Sequence, residues 1–424
     1  MTERTRIVIT GSGAICASGK DPAAILTEIV AGRSGLRPTT QWDATGWPNH
    51  TQGEIPDYNA AALTGDRKLL KLIRRTDVLG LYASGQAIDT SGLPAHRDSL
   101  PTDAAALFGD HVGVYVGSGG GTFDTQYDYF PLLTEAHGDL HAFGAELSAN
   151  VNPMWLLRTL PNNVLCHASI RYGLKGPNAC ITCHSVGGAL AIIEAAAALR
   201  TQEADQAVAI GHDAPTEPQT VLYYQRFGLV AKDTLRTFDR ARDGTVFGEG
   251  AGALVFETAE GAAQRGATVL GEFLGGAAVS EGEGLLQIRG DGDGVARAIS
   301  LALADAGIAA SAVGMIVAHG NGTQQSDASE AAGILRAFGA TPPPVTGFKW
   351  AFGHLLAASG MVESIIALAA LRAQIVPGIA TLRNIDPAFA ALPASSAARK
   401  PRSNIALVIS RGFGGTNTAL LLRA

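Results

Sequence analysis

Ser185 stands where a short apolar segment turns into an alanine-rich one. Residues 176–188 read GPNACITCHSVGG, which predicts a strand over Ala179–Cys183, a sharp turn, and a helix over Val186–Arg200. Serine is favoured at helix N-termini, so the position needs no further role. The same geometry would also hold a nucleophile against backbone N–H groups that stabilise an oxyanion. The local pattern leaves the structural and the nucleophilic interpretations open.

His319 directly follows a predicted strand and opens a glycine-rich loop. Residues 315–330 read MIVAHGNGTQQSDASE, with the strand over Met315–Ala318. A lone histidine is commonly structural, but the Gly-Asn-Gly-Thr sequence makes a loop that a ligand backbone can approach closely. In such a loop Asn321 and Thr323 can hydrogen-bond amide groups of that ligand.

A second histidine, His354, lies in the segment KWAFGHLLAASG at residues 349–360. We predict that it opens a small-residue helix over Leu355–Ala373, five residues after Lys349. The dipole at a helix N-terminus disfavours the imidazolium form. His354 is therefore a candidate hydrogen-bond donor or base at neutral pH.

Phe413 lies in a loop with the sequence SRGFGGTN, residues 410–417. The three glycines around it predict a flexible loop that packs closely against its neighbours. Backbone N–H groups of such a loop can point at a carbonyl oxygen.

The four cysteines fit a reducing, cytosolic setting and are too few for a disulfide scaffold. Cys180 and Cys183 have the spacing of a redox or zinc half-site. A zinc site needs two more ligands, and His184 is the only nearby candidate. Because the pair lies along a predicted buried strand, we expect no metal site here.

Short apolar runs that end in glycine alternate with helical stretches along the chain. We interpret the runs as buried strands and the glycines as tight turns that leave them. The alternation favours an α/β architecture with covered sheets, in two halves that meet near residue 265. Strands are predicted at Arg6–Thr10, Val112–Val116, Ala207–Ile210, Val269–Ala277, Met315–Ala318 and Ile405–Ile409. Helices are predicted at Pro22–Ala31, Asp77–Ile88, Val186–Arg200, Gly294–Ala306, Ser326–Phe338 and Leu355–Ala373.

Composition restricts the class of protein further. The 424 residues are 46% apolar and carry a net charge of −6. That mildly acidic balance argues against nucleic acid or an anionic membrane as the main partner. No apolar run reaches the roughly 18 residues of a membrane span, and the charged N-terminus lacks the apolar core of a signal peptide. We therefore expect a cytoplasmic protein.

Taken together, these segments resemble the elongating β-ketoacyl-acyl-carrier-protein synthases over nearly the whole chain. ITGSGAICASGKD with AGRSGLRP looks like the family's opening strand and first helix, and LPNNVLCHASIRYGLKGPN like the approach to its nucleophile. FDRARDGTVFGEGAGALVFE looks like the segment that closes its first half. HGNGTQQSDASE, KWAFGHLLAASG and SRGFGGTN resemble its second-half active-site motifs. The resemblance implies a thiolase fold of five layers (α-β-α-β-α), with similar halves at 1–265 and 266–424, and usually a dimer.

The chain departs from the family at the nucleophile. The family usually has cysteine nine residues after the glycine of Gly-Pro, and counting from Gly176 reaches Ser185. Cys183 and His184 beside it are also unusual, which favours a natural variant over an engineered one. A cysteine thiol, with a free pKa of about 8.5, ionises near neutral pH, whereas a serine hydroxyl needs a base within hydrogen-bond reach. Acyl transfer from the resulting ester should be slower than from a thioester.

The resemblance assigns roles to the catalytic side chains. Ser185 would accept the acyl group. His319 and His354 would bind the thioester carbonyl of a malonyl unit and activate Ser185. The backbone N–H groups of Ser185 and Phe413 would form the oxyanion hole, and Phe413 would gate the acyl tunnel.

The resemblance also assigns supporting residues. Lys349 would hold a charge network with Glu330, and Asp327 would shape the His319 loop. Asn321 and Thr323 would contact the phosphopantetheine arm, although the family usually has threonine at the position of Asn321. No cofactor or metal would be bound, since phosphopantetheine arrives on the carrier protein or coenzyme A.

Three functions follow from the resemblance. In the first, Ser185 takes an acyl group from a carrier-protein or coenzyme A thioester and passes it on, in decarboxylative condensation with malonyl-carrier protein. In the second, the chain only decarboxylates malonyl-carrier protein. In the third, it is a non-catalytic partner of a cysteine-bearing ketosynthase, comparable to a chain-length factor. The expected partners are acyl carrier protein and an identical or homologous subunit. Retention of both histidines and Lys349 favours a catalytic role.

Overall fold

A single mixed sheet of ten strands runs through the part of the chain that the computed structural model describes, residues 4–119 and 129–424. A separate two-stranded sheet pairs β2 with β3. The strands are β1 Ile7–Cys16, β2 Arg37–Pro38, β3 Thr51–Gln52, β4 Val112–Ser118, β5 Asn178–Ile181, β6 Gln206–Asp213, β7 Gly250–Thr258, β8 Gly271–Ser280, β9 Met315–Val317, β10 Val345–Thr346, β11 Ile405–Gly412 and β12 Thr416–Arg423.

Helices cover the outer faces of the sheet and also lie between its two halves. They are α1 Pro22–Val30, α2 Ala60–Thr64, α3 Arg75–Ser91, α4 Leu93–Ser99, α5 Thr102–Phe108, α6 Phe130–Glu135, α7 Leu140–Asn150, α8 Trp155–Thr159, α9 Asn163–Tyr172, α10 Gly187–Arg200, α11 Pro218–Arg226, α12 Ala259–Gln264, α13 Asp293–Ala306, α14 Gln324–Phe338, α15 Lys349–Phe352 and α16 Ser359–Arg372. None of the helices in the described ranges is both long and apolar enough to cross a membrane.

The strand order repeats itself within the large sheet. The order is β10-β9-β11-β12-β8-β1-β7-β6-β4-β5. Each half of this order has two parallel pairings at its outer edge and two antiparallel pairings toward the middle. The halves join where β1 pairs with β8 over three residues, Ile7–Ile9. The domain boundary at residue 265 falls between α12 and β8 and stays a prediction.

The sheet halves fold over a buried middle layer formed by α10 and α16. These two helices contact each other and strands from both halves, whereas α3 covers the first half and α13 covers the second, with α14 packed against α13. The residues of α16 are buried almost throughout, and alanine and glycine dominate the buried face of α10. Small side chains let a helix lie close to a sheet on each side.

The glycines of β1 have a different role from the one we predicted. The strand does not end in a turn at Gly11 but continues through Gly13 to Cys16. A Cβ at Gly11 would lie 2.1 Å from Ala87 O, and one at Gly13 would lie 2.2 Å from Ala83 O. These glycines therefore let α3 lie against the strand, which a side chain would prevent.

Candidate active site

Ser185 is buried at the start of the middle-layer helix α10. It lies in a 3-10 turn, His184–Val186, that leads directly into Gly187. A Cβ at Gly117 of β4 would lie 2.1 Å from the carbonyl carbon of Gly187, so the backbones of strand and turn are in contact. The close packing therefore fixes the backbone of the turn that carries Ser185.

The Ser185 hydroxyl is hydrogen-bonded to the residue before it. His184 Nδ1 lies 2.8 Å from Ser185 Oγ, and His184 Nε2 is hydrogen-bonded to the Tyr224 hydroxyl of α11. Phe413 stacks on the His184 ring, with centroids 4.8 Å apart, and on the Tyr224 ring, with centroids 5.5 Å apart. The three rings form one aromatic stack beside Ser185.

The structure differs here from the sequence analysis, in which His319 and His354 activate Ser185. Neither ring is hydrogen-bonded to Ser185 Oγ in the described chain. His184 was considered only as a zinc ligand. Its contact with Tyr224 joins residues 40 positions apart, and no local sequence pattern reports such a pairing.

His354 does not open a helix as predicted. It lies in an extended segment that bridges to Phe247, and α16 begins only at Ser359, after a 3-10 turn. Its Nδ1 accepts the Leu356 N–H at 3.2 Å and lies 3.1 Å from Ser359 Oγ. An Nδ1 that accepts a backbone N–H carries no proton, so the neutral ring holds its proton on Nε2.

His319 has the same tautomer for the same reason. It follows β9 after one residue, Ala318, and its Nδ1 accepts the Arg411 N–H of β11 at 3.3 Å. The neutral ring therefore has its proton on Nε2. The centroids of the His319 and His354 rings lie 5.1 Å apart, with the rings nearly perpendicular. The site thus has two neighbouring Nε2–H donors.

Burial keeps these histidines uncharged. It lowers the pKa of His319 and of His354 well below the ordinary value, and the nearby Lys349 ammonium lowers both further. Burial also lowers the pKa of His184, to about 4. At neutral pH all three rings are therefore neutral, and each has one N–H and one lone pair.

Lys349 forms its ion pair with Glu363. It interacts with Glu330 through charge alone, because burial raises the pKa of Glu330 and the Lys349 ammonium opposes that rise. Lys349 Nζ lies 2.6 Å from Glu363 Oε1, and both side chains are fully buried. Glu330 instead accepts the backbone N–H groups of His319 at 2.6 Å and Gly320 at 2.9 Å. The carboxylate therefore fixes the backbone that carries His319, while Lys349 acts on the histidines through its charge.

Asp327 and Asn321 order the loop after His319. The Asp327 carboxylate accepts the Gly322 N–H at 3.1 Å and the Phe238 N–H at 2.8 Å. Asn321 Oδ1 accepts the N–H of Thr323 at 3.0 Å and its hydroxyl at 2.9 Å. Both Asn321 and Thr323 line the cleft described next.

The predicted site residues converge on one cleft, which is open to solvent. Ser185, His319 and His354 share its wall with Phe413. Lys349, Glu330 and Asp327 are buried behind the wall. Gly412 lies against the Ser185 turn, because a Cβ there would be 3.6 Å from Ser185 N. The backbone at Gly412, next to Phe413, therefore lies close to the Ser185 amide.

The cysteine pair lies outside this group. Cys183 is not on β5 as predicted, because pairing with β4 ends at Ile181 and Cys183 immediately precedes the 3-10 turn at His184. Burial raises the pKa of the Cys180 thiol to about 11, which leaves it unreactive at neutral pH. Over residues 4–119 and 129–424 no cluster of three or more histidine, cysteine or acidic side chains has the geometry to hold a metal ion.

The neutral histidines make stability depend on pH. The pKa values of His319 and His354 return to about 6.5 on unfolding, so below that pH the unfolded chain binds more protons than the folded one. The free energy of unfolding therefore falls as pH falls, by up to about 1.4 kcal/mol per pH unit for each histidine. Denaturant titrations at about pH 7 and about pH 5.5 measure this fall in the free energy of unfolding. It should be smaller for the His319→Asn/His354→Asn double variant than for the unsubstituted chain. An equal fall in both proteins would contradict the prediction.

Comparison with known proteins agrees with the fold described above. Residues 4–262 match the family model "Beta-ketoacyl synthase, N-terminal domain", and residues 270–383 match "Beta-ketoacyl synthase, C-terminal domain". The chain belongs to the β-ketoacyl synthase family, the ketosynthase-type condensing enzymes of fatty acid or polyketide synthesis. The family resemblance found in the sequence is thereby confirmed.

Individual relatives match over almost their full length. The chain is 30% identical to the 3-oxoacyl-(acyl-carrier-protein) synthase 2 of Coxiella burnetii and covers 99% of it, with 99% of this chain aligned. It is also 30% identical to nodulation protein E of Rhizobium meliloti, with 99% of each chain aligned.

Solved structures confirm the predicted fold class, a thiolase-like α/β fold. The ishigamide ketosynthase/chain length factor superimposes with a TM-score of 0.88 at 28% identity, over 100% of each chain. A β-ketoacyl synthase from Burkholderia phymatum superimposes with a TM-score of 0.86 at 26% identity, over 99% of each chain.

Proposed function

We propose that this chain is a β-ketoacyl synthase with a serine nucleophile. Ser185 accepts an acyl group from a carrier-protein or coenzyme A thioester and transfers it to the carbanion of a decarboxylated malonyl thioester. One observation carries the proposal. The Ser185 hydroxyl shares one cleft with two neutral histidines. In each histidine the backbone hydrogen bond is made by Nδ1, so Nε2–H remains available to a substrate.

The histidine pair is suited to a thioester carbonyl. Two N–H donors on neighbouring rings stabilise the negative charge that forms on the carbonyl oxygen when malonyl loses carbon dioxide. Donors that are already fixed by the backbone need no reorganisation during the reaction. His319 and His354 therefore act on the malonyl half-reaction.

The carbon–carbon bond forms in the second half-reaction. Loss of carbon dioxide leaves an electron pair on the α-carbon of the malonyl unit, which attacks the carbonyl carbon of the acyl-serine ester. The ester C–O bond breaks, the acyl group becomes a β-ketoacyl thioester, and the Ser185 oxygen takes up a proton. The backbone N–H groups of Ser185 and Phe413 are the proposed donors to the carbonyl oxygen of the ester in this step.

The proposed partner is an acyl carrier protein, because a relative that is 30% identical is named for its action on that substrate. Asn321 and Thr323 lie on the cleft wall, where the pantetheine arm would pass. The reaction as written needs no resident cofactor or metal. We also propose a dimer, with an identical or a homologous subunit.

The test is intact-mass spectrometry after incubation with saturated acyl-coenzyme A and acyl-carrier-protein thioesters, from acetyl to decanoyl. We expect one acyl adduct that maps to Ser185, disappears in Ser185→Ala, and persists in Ser148→Ala, a control on the exposed face of α7. No adduct with any donor would contradict the acyl-serine proposal.

The same samples distinguish the alternative functions. Undiminished release of carbon dioxide from malonyl-carrier protein by Ser185→Ala, with no adduct in the unsubstituted chain, would favour a decarboxylase. Activity that appears only with a co-purified cysteine-bearing homologue would favour the role of a non-catalytic partner.

A further inference from the structure

His184 is the residue whose geometry fits proton transfer from Ser185. This inference rests on the proposed acyl-serine function and extends it. We propose that His184 is the general base that removes the Ser185 proton during acylation, and that Tyr224 is the positioning residue that orients the His184 ring. The hydrogen bond between His184 Nδ1 and Ser185 Oγ, 2.8 Å long, defines the path of the proton.

In the other two histidines of the cleft, the lone pair that a base needs is already engaged by a backbone N–H. Nδ1 of His319 and Nδ1 of His354 each accept a backbone N–H, so their Nε2 atoms carry protons. A protonated Nε2 can donate a hydrogen bond to a substrate oxygen but cannot accept a proton. Base and carbonyl donors are therefore different residues.

In one of the two tautomers that the contact with Tyr224 allows, His184 can act as a base. When His184 Nε2–H donates to the Tyr224 oxygen, Nδ1 keeps its lone pair and faces Ser185 Oγ. The Phe413 ring packs against both aromatic rings, with an interplanar angle of 27° to His184 and 18° to Tyr224. The stack leaves the His184 ring little rotational freedom.

The backbone of His184 indicates the same constraint. Its φ is +42°, in the left-handed region that residues with a Cβ avoid. Such a conformation persists where the surroundings fix it, and it clusters at functional sites. Burial also lowers the pKa of His184, so the ring is unprotonated at neutral pH.

The acylation step balances without a co-reactant. As Ser185 Oγ attacks the thioester carbonyl carbon, its proton moves to His184 Nδ1 and a C–O bond forms. Collapse of the tetrahedral intermediate breaks the C–S bond, and the proton moves from Nδ1 to the leaving sulfur. The products are an acyl-serine ester, a free thiol and neutral His184.

The Ser185→Cys substitution distinguishes whether His184 acts as a general base or only as a structural residue. A thiol with a pKa of about 8.5 supplies its own thiolate near neutral pH, whereas a serine hydroxyl depends on a base. Removal of His184 should therefore impair the serine enzyme far more than the Ser185→Cys enzyme. Damage to the fold would impair both equally.

The experiment measures single-turnover acylation rates by quenched-flow mass spectrometry. His184→Asn tolerates the left-handed backbone and keeps a polar side chain, and His184→Phe keeps the aromatic stack. In the serine enzyme we expect each variant to slow acylation about a hundredfold, the usual contribution of a general base. In the Ser185→Cys background we expect each to slow it less than about fivefold.

Each outcome bears on one claim. Equal losses in the serine and cysteine backgrounds, or no loss in the serine enzyme, would overturn the assignment of His184 and leave the acyl-serine function standing. A failure of the unsubstituted chain to form any adduct would overturn the proposed function itself.

Tyr224→Phe tests the positioning role, because it removes the hydroxyl and keeps the ring. We expect acylation of the serine enzyme to fall about tenfold, the cost of one lost hydrogen bond to the base. The same substitution in the Ser185→Cys background should have little effect on the rate. A loss of equal size in both backgrounds would assign Tyr224 to the fold rather than to the base.

Discussion

Replacing His354 by asparagine should lower the rate of malonyl-thioester decarboxylation by about a hundredfold to a thousandfold, the usual effect of removing one oxyanion donor. The reason is geometric. His354 Nδ1 is committed to the backbone, so its Nε2–H is the group available to the substrate oxygen. The shorter asparagine side chain cannot reach the same point.

Carbon dioxide release from malonyl-carrier protein measures this effect directly. His50→Asn is the matched control, since it makes the same substitution at an exposed histidine outside the cleft. His319→Asn should cause a loss of similar size, because its ring has the same tautomer. A decline of less than about tenfold in both cleft variants would mean that the two rings do not bind the carbonyl.

The buried pair of Lys349 and Glu363 gives the largest expected effect on stability. Both side chains are fully buried and are 2.6 Å apart. Replacing Lys349 by methionine leaves the Glu363 carboxyl buried without its cation, and removal of one partner of a buried pair costs about 3–5 kcal/mol. We expect the free energy of unfolding to fall by that amount.

The control is the double variant Lys349→Met/Glu363→Leu, which removes both charges. Because no buried charge is then left unpaired, we expect it to be more stable than Lys349→Met alone. Denaturant unfolding of the three proteins at one pH supplies the comparison. If the double variant is as unstable as the single one, packing of the Lys349 stem and not its charge explains the loss.

The sequence predicted the alternation of strands and helices because buried parallel strands are continuous apolar runs. The main error of the sequence-based prediction concerned the role of the glycines that follow apolar runs. A glycine after an apolar run indicates either a turn or a close approach of another backbone, and the two are indistinguishable locally. In β1 the second explanation applies, because α3 lies against Gly11 and Gly13.

The candidate site was predicted in part. Ser185, His319 and His354 follow recognisable segments, and the structure brings them to one cleft. The partner of Lys349 and the contacts of His184 were not predictable, because they depend on how α16, α11 and the Phe413 loop pack in three dimensions. Local spacing carries no information about such contacts.

The repeated strand order has a consequence for how the centre is built. Ser185 follows β5, the third main strand of the first repeat, and His354 follows β10, the third strand of the second repeat. The proposed acyl acceptor and a proposed carbonyl donor thus occupy equivalent positions in the two repeats. Neither repeat contains the whole cleft, so the candidate centre forms only where the two repeats pack together across helices α10 and α16.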